Sequence, residues 1–338
     1  RLSLVGSEMC IRDSAYTKQP NDATQNIGNG SYSTADPYVK KVWDGRYTGI
    51  RMCNELLENI DRVPDLDPEL KKRYIGEAKV LRAYNYYELY TKFGDVPYTT
   101  KVLSIKESMS IARTAKATVI ANVLADLDEV INGNYLPTSY DADNKGRITR
   151  WTAMAIKAKI YLFEGNWTQV KNITSTIMTE GGFKLFGSYA GLFEIANEYN
   201  SEVILDAQYR PTSREHQMMY VFLPPTLGGY SQLSPLQELV DSYIMLDGKT
   251  IKETGTSFDE SHPYANRDPR LKATVMYTGN SYTLADGTEV VINCEKGEGK
   301  DGYGVGSDCS ATGYYIKKYW DNTYRATPVS YTHLRAHE

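Results

Sequence analysis

The sequence predicts a mainly α protein: a tetratricopeptide-like bundle of helical pairs, followed by an irregular, loop-rich α+β portion carrying short strands. Three observations predict it. Between Asp36 and Gly182, apolar residues recur at three- and four-residue spacing in a succession of segments bounded by capping residues. The links between these segments are mostly short, as in stacked helical hairpins. From Phe183 onward the helical period fails, and Pro-Pro, Gly-Gly and Asp-Gly pairs separate short strand-like runs.

Asp36-Pro37 opens the first long helix, because aspartate caps a helix start and proline suits its first position. This helix runs from about Tyr38 to Arg62, with Val39, Val42, Trp43, Tyr47, Ile50, Cys53, Leu56, Leu57 and Ile60 on its apolar face. Pro64 to Pro68 connects it to the stretch around which the chain is organised, KRYIGEAKVLRAYNYYELYTKFGDVPYTT from Lys72 to Thr100. The first two-thirds of that stretch read as helix, on Ile75, Ala78, Leu81, Ala83, Tyr86, Leu89 and Tyr90. Gly94 caps it, and Asp95-Val96-Pro97 turns the chain away, since proline cannot continue a helix and pushes its predecessor into extended conformation.

Ser104 to Arg113 reads as a link. A third helix, about Ala115 to Asn132, carries Val119, Ile120, Val123, Leu124, Leu127, Val130 and Ile131 and ends at Gly133-Asn134. After a polar loop from Pro137 to Gly146, Thr149 caps a helix that reaches to about Trp167. Its Ala153, Ala155 and Ala158 let a partner helix approach closely. Thr168 to Thr179 forms a shorter helix closed by Gly181-Gly182, and Trp43, Trp151 and Trp167 are expected in the core. Successive antiparallel pairs of this kind suggest a tetratricopeptide-like solenoid, although the strict 34-residue consensus is absent.

In the second portion, Glu202 to Asp206 is strand-like, and Pro224-Pro225 and Gly228-Gly229 mark irregular structure. Ala273 to Tyr277 reads as a strand, Ser281 to Asn293 as strand, turn and strand about Asp286-Gly287, and Gly313 to Trp320 as a last strand. A Gly-rich loop, Gly297 to Gly306, lies between Cys294 and Cys309. In an exported protein these cysteines either close the loop as a disulfide or stay as thiols.

A chain of 338 residues with net charge −4 has no broad basic face for nucleic acid, and no run of 18 apolar residues to span a membrane. Its 28 Tyr against 7 Phe and 4 Trp suit half-wet surfaces, and rings simply buried near a surface and a ligand-binding role explain them equally. Catalytic and cofactor motifs fail on inspection. Gly297 to Gly302 fits GxGxxG, but more Gly, Ser and Asp follow where a dinucleotide site needs a helix. Asp141 and Asp143 imitate the start of a calcium loop whose twelfth position would be Thr152, not glutamate. His216 and His262 are the only histidines before the last residues, and each reads as an ordinary surface or hydrogen-bonded side chain. Neither metal nor cofactor is expected.

The wording of several segments is more specific than their period. Glu77-Ala78, Leu81-Arg82-Ala83-Tyr84, Tyr86-Tyr87 and Phe93 to Pro97 resemble the "EA…LRAYYY…L…FGDVP" signature of the SusD/RagB family, the outer-membrane glycan-binding lipoproteins of Bacteroidetes-type bacteria. Gly146 to Trp167 is similar to the family's "GR.T…A..ALKA..YL..GNW", Gln237 to Lys249 to its "QELVDAYEM.DGK", Arg267 to Leu271 to "RDPRL", and Gly313 to Tyr319 to "GY…KKY". The resemblance runs in order from about Tyr38 to Trp320 and implies a bundle of helical repeats. It implies non-catalytic capture of oligosaccharide at the cell outer-membrane surface and delivery to a TonB-dependent transporter. A tetratricopeptide-type scaffold for protein or peptide is the rival reading, and a glycan-active enzyme a weaker one, since glycosidase carboxylates are set by distance in space.

Arg1 to Ser14 and residues 329–338 resemble translated sequencing-adapter read-through, so both are expected to be non-native and the gene to continue beyond them. Cys10 follows Ser7-Glu8-Met9, not small residues, and is not read as the lipidated cysteine; the lipid anchor implied by the family is expected outside this fragment. Residues 15–182 then form the helical portion and 183–328 the mixed portion of one compact domain. Family sites lie on loops and vary with the glycan. The candidates are therefore loop aromatics with polar neighbours: Tyr32 near Asn29, Tyr220 near Arg214 and His216, and Tyr230 after Gly228-Gly229.

Overall fold

Two Asp-Pro dipeptides start the two longest helices. In the computed structural model, which describes residues 15–17, 30–209 and 218–320, the Asp36 carboxylate accepts the Tyr38 N–H (2.9 Å) at the head of α1 (Pro37–Asn59). Asp67 does the same for Leu70 (2.8 Å) at the head of α2 (Pro68–Phe93). Helix α2 thus begins four residues before the expected Lys72, because Asp67-Pro68 is a helix start and not part of a connector.

The described chain falls into two units. The helical unit holds Thr34–Leu185 with Ser201–Leu205. Its further helices are α3 (Ile105–Ser110), α4 (Lys116–Asn132), α5 (Arg150–Phe163) and α6 (Trp167–Glu180). Helix α3 stands where only a link was expected: Ser104 and Glu107 form a reciprocal capping box. Thr149 caps α5 as predicted. Helix α1 packs on α2, α2 on α4, α4 on α5 and α5 on α6.

Because α2 also touches α5, its buried residues surround most of its circumference. In its middle a strip through Leu81, Tyr84, Asn85 and Glu88 reaches solvent, and Leu81, expected in the core, is 43% exposed. Trp151 is buried and Trp43 packs partly buried against Tyr47 and Phe93. Trp167 corrects the expectation of a core position: it is 67% exposed. It opens α6 six residues before the buried Ile173, which puts it roughly 120° around the helix from that side chain.

The turn after α2 is clamped by polar contacts from within. Tyr86, fully buried, donates its hydroxyl to the Thr99 carbonyl (2.9 Å) and accepts the Thr99 N–H (2.8 Å). Tyr47 donates to the Pro97 carbonyl (2.8 Å), and the Asp95 carboxylate accepts the Lys116 N–H (2.8 Å) at the start of α4. Asn54 and Arg82 complete the clamp. The Arg82 side chain is 5% exposed and donates to Asn54 Oδ1 (2.9 Å) and twice to Asp126 Oδ2 (2.7 and 3.1 Å), joining α1, α2 and α4. We expect Tyr86→Phe to cost about 1–3 kcal/mol, because the Thr99 N–H loses its acceptor while its carbonyl keeps Asn54. Urea denaturation followed by far-UV circular dichroism measures this, and an unchanged midpoint would refute it.

The second unit holds Phe186–Asn200 and the described residues from Asp206 on, together with those before Thr34. Strand β1 (Ala15–Thr17) pairs antiparallel with β2 (Leu233–Pro235), β3 (Val275–Met276) with β6 (Tyr315–Ile316), and β4 (Ser281–Thr283) with β5 (Glu289–Val291) across the predicted Asp286-Gly287 turn. Short helices α7 (Met218–Phe222), α8 (Gln237–Ser242) and α9 (Pro269–Thr274) lie between them. The strand expected from Ala273 shortens because α9, capped by Asp268, runs to Thr274. Residues 202–206 form no strand; Ile204 and Leu205 pack instead against the helical core. Arg267 of the RDPRL stretch is buried and donates to the carbonyls of Pro263, Val240 and Tyr243. The segments 1–14 and 329–338 lie outside the described residues.

Candidate functional site

Helix α7 buries Met219 against a cluster that includes Leu223, Leu227, Met276, Ile292 and Tyr315. Pro224-Pro225 then ends the helix and starts a single 3₁₀ turn, Pro225–Leu227. Gly228 closes that turn in the left-handed region (φ +81°), and the Gly229 N–H donates to the Pro224 carbonyl (3.0 Å). Gly229 is required here: a Cβ would lie 2.0 Å from the Leu223 carbonyl oxygen. The chain returns through Tyr230, whose N–H donates to the Tyr220 carbonyl (2.7 Å), and Ser231, whose N–H donates to that of Leu223 (3.2 Å).

This return stacks two of the predicted tyrosines on each other. The Tyr220 and Tyr230 rings lie 5.7 Å apart at 19°. Tyr230 is 43% exposed and Tyr220 half-buried. Ring stacking fixes the plane of the outer tyrosine, leaving an apolar face with a phenol at its edge. Such a face matches the C–H surface and hydroxyl rim of a sugar ring at little cost in side-chain freedom.

The loop is tied from the other side. The Asp301 carboxylate, 2% exposed, accepts the Thr226 N–H (2.8 Å), and its carbonyl accepts the Tyr315 hydroxyl. Burial pushes the Asp301 carboxyl above the usual range, and the contact with Thr226 draws it back. Asp301 belongs to the Gly-rich loop and sits beside Gly302, where a Cβ would meet the Glu298 carbonyl at 2.1 Å. Asp301 and the 42% exposed Tyr303 were absent from the sequence candidates. The sequence signal for Tyr303 is an aromatic side chain inside the Gly-rich loop Gly297 to Gly306.

Tyr32 is 56% exposed and makes no ring contact with the pair. Asn29, Arg214 and His216 lie outside the described residues. His262 is an exposed residue whose Nδ1 is 2.8 Å from Asp259 Oδ2. Cys294 and Cys309 form no disulfide. Both are buried thiols; burial pushes that of Cys294 up to about 12, and Cys309 donates to the Lys300 carbonyl (3.2 Å). Among the described residues no three His, Cys, Asp or Glu side chains converge as metal ligands, and no helix is long and apolar enough to cross a membrane.

Two family models match the chain: one for starch-binding proteins associating with the outer membrane over residues 6–162, and that of the SusD family over residues 191–336. A SusD-like protein of Formosa agariphila is 30% identical over 210 residues, 59% of this chain and 40% of its own length. The chain thus spans less than half of that relative. A SusD-like carbohydrate-binding protein from Bacteroides fragilis has the same fold, with TM-score 0.86 and 23% identity over 98% of this chain and 64% of its own. A laminarin-binding SusD-like protein superposes at TM-score 0.69 and 21% identity, over 97% of this chain and 70% of its own.

Proposed function

The chain belongs to the SusD/RagB family, and from that membership we propose that it captures oligosaccharide at the bacterial outer-membrane surface. The observation that carries this reading is the stacked Tyr220–Tyr230 pair, held on a loop that only glycine at position 229 can close. A sugar ring lies on the exposed tyrosine face, its hydroxyls exchange hydrogen bonds with the phenol and neighbouring loop groups, and no bond is made or broken. The bound glycan passes to a TonB-dependent transporter, beside which a lipid anchor holds the protein. The laminarin-binding neighbour supports including laminarin among the ligands to be tested.

Affinity electrophoresis against plant, host and microbial polysaccharides, laminarin included, tests this. Wild-type chain is expected to be retarded by at least one, and Tyr230→Ala to lose about tenfold in affinity, the worth of one aromatic stacking contact. Retardation unaffected by Tyr230→Ala would place binding elsewhere. Retardation by no polysaccharide would favour a peptide-binding scaffold, and release of reducing ends over time would make the protein an enzyme.

A further inference from the structure

The helical unit carries a cleft of its own, remote in sequence from the tyrosine loop. A cleft of about 530 Å³ lies between the first turn of α2, the loop Asn134 to Thr138 and the first residue of α5, Arg150. That volume is in the range of small-molecule sites. Two guanidinium groups line it, and both have unused donors. Arg73 Nε is buried without a hydrogen-bond acceptor; the nearest carboxylate oxygen, of Glu77, is 3.9 Å away. The Arg73 head is held over the rings of Tyr74 and Tyr140 at 5.5 and 5.6 Å, which fixes its plane. Arg150 Nε is likewise buried without an acceptor, while its Nη1 donates to Asn134 Oδ1 (3.1 Å). Among the described residues Arg150 has no ion-pair partner.

A guanidinium nitrogen buried without an acceptor is costly, and both arginines line one cleft, which points to a ligand that supplies acceptors to the outer nitrogens of these side chains. The rest of the lining says which kind. Asp67 and Glu69 stand on the same cleft, so a bare inorganic anion would meet two carboxylates it cannot satisfy. A neutral sugar would bond those acceptors through its hydroxyls but leave Arg150, whose partner is the neutral Asn134, without a counter-charge. Tyr135, Leu136 and Pro137 add an apolar wall. A ring bearing a carboxylate, several hydroxyl donors and a C–H face fits all three features at once.

We infer that this cleft binds a uronic-acid residue, with Arg73 and Arg150 taking the carboxylate, Asp67 and Glu69 the hydroxyls, and the Tyr135 side the ring face. The inference shares the saccharide chemistry of the proposed function but uses none of the tyrosine-loop residues, so the two can fail separately.

Calorimetric titration of the full chain tests it with three probes: α-linked tri-galacturonate, the same trisaccharide with its carboxyls reduced, and a tri-aspartate peptide. Tri-galacturonate is expected to bind at least about tenfold tighter than either other probe. Arg150→Gln should weaken it by about tenfold or more, Arg150→Lys by less, because lysine keeps the charge without the planar fork. Tyr230→Ala should leave it unchanged. Should Arg150→Gln lose its helical circular dichroism, Arg73→Gln takes its place. No heat with tri-galacturonate, equal affinity for the reduced sugar, or an unchanged Kd in a folded arginine variant would each overturn the inference. Tri-aspartate binding as tightly would reassign the cleft to peptide carboxylates and overturn the sugar. Tri-galacturonate binding that depends on Arg150, in a chain retarded by no neutral polysaccharide, would uphold the cleft while removing the tyrosine-loop proposal.

Discussion

Asp126→Ala is expected to destabilise the helical unit by about 3–5 kcal/mol, the largest loss we anticipate from a single polar substitution, because it strands a buried guanidinium. Arg82 lies in the middle of α2 with its side chain 5% exposed, and among the described residues Asp126 is its only carboxylate partner, 14% exposed itself. Two of the three donor bonds that the guanidinium makes end on that aspartate; the third ends on the neutral Asn54. Lys79, 3.7 Å from the other Asp126 oxygen and also paired with Glu129, adds positive charge to the same place. Removing Asp126 therefore leaves the Arg82 guanidinium without a carboxylate and Lys79 with Glu129 alone. Replacing both charged partners, Arg82→Met with Asp126→Leu, should recover most of the loss, since it removes the desolvated charge along with its partner. Urea midpoints of the single and double variants decide the matter. A loss under about 1 kcal/mol for Asp126→Ala would show that water reaches the pair and screens it.

Gly229→Ala is expected to weaken retardation by polysaccharide as much as Tyr230→Ala, about tenfold in affinity, although it removes no group that touches sugar. The added methyl would sit 2.0 Å from the Leu223 carbonyl oxygen, 2.4 Å from its carbon and 2.7 Å from its Cβ. Two of these are backbone atoms and cannot swing aside as a flexible side chain can. The loop must open, and with it go the Tyr230 to Tyr220 bond of 2.7 Å and the stacked geometry. Overpacking of this kind costs about 1–3 kcal/mol, so the far-UV spectrum should stay helical while the affinity for polysaccharide falls about tenfold. A Gly229→Ala chain that still binds as the wild type does would mean that the stacked pair is not the sugar platform.

What could be read in the sequence followed from local physics. Asp36-Pro37, Thr149 and Gly94 are punctuation marks whose effect reaches only a few residues, and each stands where it was expected. Asp67-Pro68 and Ser104-x-x-Glu107 are the same kind of mark and were equally legible, but one was absorbed into a connector and the other into a link. Burial was harder, because it depends on how many neighbours a helix has. Leu81 and Trp167 have apolar side chains at positions no partner covers, whereas Arg82, between them in sequence, is nearly inaccessible. Tyr220 and Tyr230 could be named one by one. Their stacking could not, since it depends on Gly229 passing close to a carbonyl six residues before it. The meeting of Arg73 and Arg150 in one cleft left no trace in spacing at all.

The pairing of β1 with β2 has a consequence for the order in which the molecule assembles. Thr17 finds its partner in Leu233, so this strand has no mate until nearly all of the intervening chain exists. The helical unit needs no such wait, since each of its helices packs on one close behind it in sequence. As the chain emerges, the helices therefore close first, and β1 travels as an unpaired edge, open to wrong partners until β2 arrives. Conditions that slow synthesis or export relative to folding will prolong that exposure and leave the stability of the finished fold unaltered.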